Sequence, residues 1–413
     1  MNWFPAIVLA GVIFLIAMRG RWKGYKIWHV MAFGAMVVVF SGYLSPVRAL
    51  ESVNLDVMFF LFGMFVVGEA LERSGYLAQL AGWLYGRGRT VDHMVLLTLF
   101  GMGLASALLM NDTLAIIGTP VMLFIASKNR VNHKLLLLAL AFSITIGSAL
   151  SPIGNPQNLL VAVGGGLKNP FLTFGRYLLL PTLVNLLVAY LWLKLLYREE
   201  FSKPASVGTA VKIRDPYLAN LCKLSLGLAL GLIVLKILLV TLGWDCDIRL
   251  TYIALASAAP ILLFARNRRR ILGGIDWGTL AFFAAMFVLM AAVWDSGIIQ
   301  SLISGMGINL LSIAAILIIS VLLSQVMSNV PMVALYLPLL LSMGASTTEL
   351  MALAAGSTIA GNMLIIGAAS NVIIIQNAEK HGRRAFSFWE FAKAGIPLTV
   401  FNIAVYWLFL TLM

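Results

Sequence analysis

Charge is the scarcest commodity in this chain. Of 413 residues only 11% are Asp, Glu, Lys or Arg, against about 25% in a water-soluble domain. A surface wetted on all sides could not be covered, which excludes a soluble enzyme and a disordered protein. Cysteine is scarcer still: Cys222 and Cys246 are too few for a disulfide framework or a thiolate metal cluster. The four histidines, His29, His93, His133 and His381, fall in loops or at the ends of apolar runs, so a metal site or a proton wire built on histidine has no basis. HExxH, GxSxG and P-loop patterns are absent. The net charge of +13 does not indicate nucleic acid, because the basic residues sit between apolar runs rather than on a wetted face.

What is abundant is apolar sequence, 61% of the chain. A bilayer core of about 30 Å takes about 20 apolar helical residues to cross. Runs of that order lie near 3–18, 27–43, 57–71, 177–197, 218–242, 250–264, 276–294 and 396–411. The fold class expected is an all-α polytopic membrane protein embedded in a lipid bilayer. The first run reads as a membrane helix and not as a cleaved signal, since Arg19, Arg21, Lys23 and Lys26 follow it and none precedes it.

Two tracts, 94–163 and 310–375, are apolar but repeatedly interrupted. Met110-Asn111-Asp112-Thr113 breaks 94–126, and Ser151-Pro152-Ile153-Gly154-Asn155-Pro156-Gln157-Asn158 breaks 135–163. Ser328-Asn329-Val330-Pro331 breaks 310–345, and Gly361-Asn362 through Gly367-Ala368-Ala369-Ser370-Asn371 breaks 350–375. Unpaired backbone is tolerated at membrane depth only when it is buried in protein or lines a cavity. The interruptions also match each other. Thr145, Gly154 and Asn158 stand 213 residues before Thr358, Gly367 and Asn371, and Met64-Phe65-Val66 stands 222 before Met286-Phe287-Val288. This order predicts a duplicated unit: N-terminal scaffold helices over 1–49, a first repeat over 50–197, a linker with connecting helices over 198–269, and a second repeat over 270–413. Each repeat holds one re-entrant hairpin (94–126, 310–345) and one broken helix (135–163, 350–375).

Charge then sets the orientation. With both hairpins re-entrant, 22 of the 29 Lys and Arg fall on one side, in 19–26, 73–93, 128–134, 198–215, 266–270 and 379–393. The positive-inside rule makes that side cytoplasmic and the repeats inverted, with both termini outside a cytoplasmic membrane. The basic loops therefore read as topology determinants.

Inverted repeats with hairpin tips build a site near the midplane. Helix N-termini there favour anions, and unwound carbonyls and carboxamides suit a cation. The groups on offer are Asn111, Asp112 and Thr113 at the first tip, with Gly154, Asn155, Pro156, Gln157 and Asn158 in its paired break. The second copy offers Ser328, Asn329 and Val330, then Thr358, Asn362, Gly367, Ala368, Ala369, Ser370 and Asn371. Gly and Pro taken singly only bend or pack membrane helices; recurrence at one offset favours a site. Asp112 and Glu69 are the intramembrane carboxylates, expensive when charged. Glu69 reads either as a functional carboxylate or as a structural partner of Arg73 one turn on, Lys194 as snorkelling to an interface, and Lys236 as structural or as lining a scaffold surface.

At these residues the chain resembles the ion transporter superfamily, above all its arsenite-pump membrane-subunit, citrate-transporter-like and related permease branches. The resemblance implies a scaffold, a mobile transport domain, an elevator movement and a homodimer. In the divalent-anion/sodium symporter branch, paired Ser-Asn-Thr tips bind carboxylate and sodium; here Asp112 and Val330 depart from that pattern. The function expected is secondary transport of a small inorganic or organic anion, or a neutral arsenite-like metalloid, coupled to H+ or Na+ with Asp112 the titrating group and no other cofactor. The alternative is a sodium/proton antiporter. A passive channel is disfavoured by hairpins from opposite faces. An intramembrane enzyme lacks a nucleophile–base pair, and the segments of Glu69 and Asp112 are expected at different depths.

Overall fold

The computed structural model describes residues 3–18, 27–76, 79, 90–202, 213–242, 244, 248–298 and 310–413. The basic stretch 19–26, most of the 73–93 and 198–215 loops, and Cys246 lie outside the described residues. Helices α1 (Phe4–Met18) and α2 (Ile27–Phe40) come first, and a short α3 (Pro46–Ser52) meets α4 (Leu55–Ser74) at 55°. Gly75, at φ 73, closes α4 in the left-handed conformation that glycine adopts without strain. Then follow α5 (Val91–Ser106), α6 (Asn111–Asn129), α7 (His133–Ser148), α8 (Pro156–Gly164) and α9 (Pro170–Leu196). After the short α10 (Arg198–Phe201) come α11 (Pro216–Thr241), α12 (Leu250–Phe264), α13 (Arg268–Gly274) and α14 (Trp277–Asp295). The chain ends with α15 (Ile313–Met327), α16 (Asn329–Ser342), α17 (Thr347–Ile359), α18 (Ala369–Lys380) and α19 (Phe388–Thr411). No β-strand occurs among the described residues.

Local chemistry places the starts. Asn155, Asn169 and Asp215 each cap a helix that opens on proline, where the missing N–H costs nothing. Ser346 with Glu349 and Ser387 with Glu390 form capping boxes on α17 and α19. Four helices, α9, α11, α14 and α19, are long and apolar enough to cross a bilayer alone, and α3 with α4 makes a fifth if the bent pair is one span. The runs expected near 3–18, 27–43 and 250–264 form helices of 10–17 residues.

Both interrupted tracts fold back on themselves. Thr98 reaches Met122 Sδ at 3.6 Å, and a Cβ on Gly118 would stand 2.8 Å from Met102 Cε. Both pairs are symmetric about residue 110, so α5 and α6 are antiparallel arms; in one straight helix Thr98 and Met122 would lie about 36 Å apart. Likewise Tyr336 donates its hydroxyl to the Leu310 carbonyl at 3.3 Å, across a span that would measure about 39 Å if straight. The breaks are narrower than the sequence suggests, however. The first tip is residues 107–110, and Asn111, Asp112 and Thr113 form the opening turn of α6. The second tip is Ser328 alone, with Asn329 and Val330 already in α16. Pro156, Gln157 and Asn158 likewise begin α8, and Ala369, Ser370 and Asn371 begin α18. Proline and carboxamides suit a first turn, whose N–H groups have no partner within the helix.

Packing contacts come in matched pairs. α4 lies along α12, and α14 along α2; α6 lies against α18, and α16 against α8; α9 and α19 pack on each other. At the centre, α7 is buried on every face from Leu135 to Ser148, as is α17 from Leu350 to Ile359. Gly147 makes this possible: a Cβ there would overlap the Gly103 backbone, so α5 and α7 touch main chain to main chain.

Candidate functional site

The two buried helices α7 and α17 end side by side, and the polar groups gather where they stop. In the first break the chain closes on itself. Asn155 Oδ1 accepts from Asn158 N at 2.8 Å, while its Nδ2 donates to Ser148 Oγ at 3.0 Å and to Thr358 Oγ1 at 3.1 Å. Asn158 Nδ2 donates to the carbonyls of Ser148 at 3.0 Å and Ser151 at 3.1 Å, and Thr358 donates to Asn158 Oδ1 at 3.1 Å. Thr358 of α17 thus completes the network of the first break. The first hairpin tip docks here, because Asn111 N donates to the Gly154 carbonyl at 3.2 Å. Gly154 is required by this approach: a Cβ would meet Ser148 Cα at 2.9 Å and the Ser106 carbonyl at 3.0 Å.

The second break is built alike but left open. Asn371 Nδ2 donates to the Gly361 carbonyl at 2.7 Å, and Gln325 Nε2 ties the second hairpin to the Ala360 carbonyl at 2.9 Å. A Cβ on Gly367 would meet Ala360 O at 2.7 Å and Gln325 Oε1 at 2.8 Å. Position 368, the counterpart of Asn155, is alanine, so the bonds that Asn155 makes are missing. Thr145 Oγ1, Gln325 Oε1, Asn329 Oδ1, Asn362 Oδ1, Ser370 Oγ and Asn371 Oδ1 are all buried and have no hydrogen-bond partner among the described residues. A buried polar group left unpaired costs about 1–3 kcal/mol, so this collection of oxygens calls for a ligand.

Helix ends add the opposite polarity. α8 is capped by Asn155, and in α6 Asn111 Oδ1 accepts from Asp112 N at 2.9 Å, but α16 and α18 begin at Ser328 and Ala368 with no side-chain cap. Their first-turn N–H groups carry the partial positive charge of a helix N-terminus. Ser328 sits at φ 71 and ψ 159, a conformation costly for any residue but glycine and found at ligand clamps.

The sequence-expected residues do come together, with shades of difference. Asn111, Asn155, Gln157, Asn158, Asn329, Thr358, Asn362, Ser370 and Asn371 are buried, while Asp112, Thr113 and Val330 are half-buried. Ala369 is exposed. Thr113 packs on α4, where a Cβ on Gly68 would meet its Oγ1 at 2.7 Å. The turn bearing Asp112 therefore lies beside the turn bearing Glu69, and the expected difference in depth does not hold. Glu69 is nonetheless engaged by Arg73 at 2.5 Å. Lys194 does not snorkel free: with Tyr190 it binds Asp92 Oδ1, at 2.7 Å and 2.5 Å, clamping the base of the first hairpin to α9. Lys236 is buried and donates to the Ile248 carbonyl at 2.7 Å.

A chain of amides leads away from the site. Asn362 Nδ2 donates to Asn402 Oδ1 at 3.0 Å, and Asn402 Nδ2 to Asn185 Oδ1 at 2.8 Å, where α9 and α19 meet. Gln325, Asn185 and Asn402 were not singled out by sequence reasoning. Extending the repeat comparison would have found the last two, each a lone asparagine in an apolar span at an offset of 217 residues. No group of three His, Cys, Asp or Glu able to hold a metal occurs among the described residues.

Comparison with known proteins agrees with this architecture. The chain is 29% identical over 377 residues to an uncharacterized transporter of Mycobacterium tuberculosis, covering 86% of this chain and 85% of that protein. It is 26% identical to the silicon efflux transporter LSI3 of Oryza sativa subsp. japonica, covering 90% of each. It is also 26% identical to the human P protein, covering 96% of this chain and 58% of that one. The fold is similar to that of the Alcanivorax borkumensis YdaH transporter, with a TM-score of 0.58 at 13% identity over 88% of this chain and 86% of that one. The citrate transporter family model matches residues 12–349; the chain is a membrane-embedded secondary transporter and belongs to the citrate transporter family.

Proposed function

We propose that this transporter moves a small oxyanion, carboxylate or neutral hydroxylated metalloid, coupled to Na+ or H+. The observation that carries the proposal is the pairing of two uncapped helix N-termini, those of α16 and α18, with a nest of unpaired buried oxygens around the second break. N–H groups suit a ligand rich in oxygen, and the side-chain oxygens suit a compact cation. No Lys or Arg is among these groups, which favours a substrate of low charge. The rice relative's name, a silicon efflux transporter, fits this low charge, while the family's citrate is a carboxylate whose higher charge coupled cations would have to offset.

In this reading the two hairpins enter a cytoplasmic membrane from opposite faces, and both termini lie outside. The hairpins with α7–α9 and α17–α19 travel as an elevator against a scaffold of α1–α4 and α11–α14. The matched contacts α4–α12 and α2–α14 support such a scaffold. The exposed leucines of α11, Leu224, Leu230 and Leu238, offer the face through which two copies associate. Asp112, half-buried at the first tip and without an ion-pair partner among the described residues, is the group that loads and releases the coupling proton. A second reading, sodium/proton antiport with no other substrate, draws on the same carboxylate and the same oxygens.

Proteoliposome flux decides. Arsenite, silicate, phosphate, sulfate, citrate and smaller carboxylates are tested with imposed Na+ and pH gradients. Substrate-dependent uptake that Asp112→Asn abolishes or uncouples supports the proposal. Unchanged coupling in Asp112→Asn refutes the role of Asp112, and proton flux driven by Na+ with every substrate absent establishes the antiporter.

A further inference from the structure

Four arginines from four different segments meet at the basic end of the bundle. Arg73 ends α4, Arg214 precedes α11, Arg266 follows α12 and Arg270 lies in α13. Together with Asp215 and Tyr217 they line a cavity of about 250 Å³, room for a phosphate group and more. The frame is fixed by backbone bonds: Arg214 N and Asp215 N both donate to the Ser74 carbonyl, at 3.0 Å and 3.3 Å. Gly75 lets the chains approach, since a Cβ there would meet Arg214 N at 3.2 Å. Tyr217 forms one wall, its hydroxyl bound to the Phe264 carbonyl at 3.0 Å and its ring 4.8 Å from the Arg266 guanidinium.

The charge in this cavity is not balanced from within. Arg73 is taken by Glu69. Asp215 caps α11, accepting from Leu218 N at 3.0 Å, and its single negative charge leaves the four guanidinium groups in excess. Arg214, Arg266 and Arg270 have no carboxylate partner among the described residues. The flanking stretches 77–89 and 203–212 contain no Asp or Glu, only further Lys and Arg. Like charges held together repel, and the arrangement is relieved by a bound anion. Topology alone needs basic residues near a helix end, not their assembly from four segments around one hollow.

We propose that this cavity binds the phosphate headgroup of an anionic phospholipid. Forked guanidinium groups match phosphate geometry, and basic pockets between helices at this level of a bilayer hold such headgroups. A soluble phosphate would satisfy the arginines equally. What favours the lipid is the surface beneath the rim, where Tyr217, Leu263 and Phe264 are 42%, 64% and 61% exposed and offer an apolar track for acyl chains. Because α4 and α12 pack along each other, a headgroup bridging their ends would brace one side of the scaffold.

The test is native mass spectrometry of the full chain in detergent, titrated with phosphatidylglycerol, cardiolipin or phosphatidylcholine. Thermal shift with inorganic phosphate and pyrophosphate runs alongside. The wild type should retain one anionic lipid in preference to phosphatidylcholine. Each arginine neutralised should weaken that binding about fivefold, so Arg214→Gln loses about fivefold and Arg266→Gln with Arg270→Gln about 30-fold. Arg383→Gln with Arg384→Gln, exposed basic residues outside the cavity, should bind as the wild type does. Equal lipid retention by the cavity variants, or equal loss in the control pair, overturns the proposal. So does stabilisation by phosphate or pyrophosphate without selective lipid retention.

Discussion

Two asparagines at matched positions should fail in different ways when their amides are removed. Asn158 serves the buried carbonyls of Ser148 and Ser151 and accepts from Thr358. Asn158→Leu keeps the volume and removes three buried hydrogen bonds, for a loss of about 3 kcal/mol. Asn371 gives one bond, to Gly361, and its Oδ1 has no partner. Asn371→Leu removes an unsatisfied oxygen along with one good bond, so its cost should stay near about 1 kcal/mol. A difference of about 2 kcal/mol corresponds to about 2–3 °C in the Tm of a chain this long. Thermal unfolding of the purified protein, read beside flux in liposomes, separates the effects. Asn158→Leu should be the less stable protein, whereas Asn371→Leu should fold normally and lose transport or cation dependence. Equal drops in Tm, or a transport-competent Asn371→Leu, would refute the reasoning that one half-site is closed and the other awaits a ligand.

Gly147→Ala drives a methyl into the Gly103 backbone and should cost about 3 kcal/mol, whereas Gly175→Ala, which meets nothing within 4 Å, should stabilise by up to about 1 kcal/mol; thermal unfolding compares them. Ser328→Gly relieves the positive φ at the second tip and should raise Tm, the strain being about 1–3 kcal/mol; a lower Tm would contradict it. A double-mutant cycle with Asp92→Asn and Lys194→Met should show near-additive effects on Tm, because their side chains are 32% and 46% exposed and water screens the pair; strong non-additivity would contradict it.

Part of the architecture was legible because polar residues recur at one offset, a mark that composition does not carry. Thr145 and Thr358, Gly154 and Gly367, Asn158 and Asn371 share one offset, and each pair lies where a buried helix stops. The hairpins were legible for a related reason: polar triplets inside apolar tracts need buried partners. Helix edges were less so. Asn111–Thr113 and Pro156–Asn158 read as interruptions, yet they open helices, since the residues that suit a loop also suit a first turn. The unequal filling of the two half-sites was harder still to foresee. Ala368 for Asn155 looks like a small change until Thr145 Oγ1, the counterpart of the Thr358 hydroxyl that Asn155 binds, is found unpaired. Lys194 and Glu69 show the remaining gap: periodicity gives the i,i+4 partner Arg73, but Asp92 meets Lys194 only through the fold.

Opposed hairpins are the premise on which the transport reading rests, and side-specific labelling addresses it most directly. Single cysteines replace Ser127 near the end of α6 and Ser342 at the end of α16, both exposed, in a chain whose Cys222 and Cys246 have been changed to serine. A membrane-impermeant maleimide is applied to right-side-out and inside-out vesicles. The account predicts that Ser127→Cys reacts from the cytoplasmic face and Ser342→Cys from the other; reaction of both from the same face would contradict it.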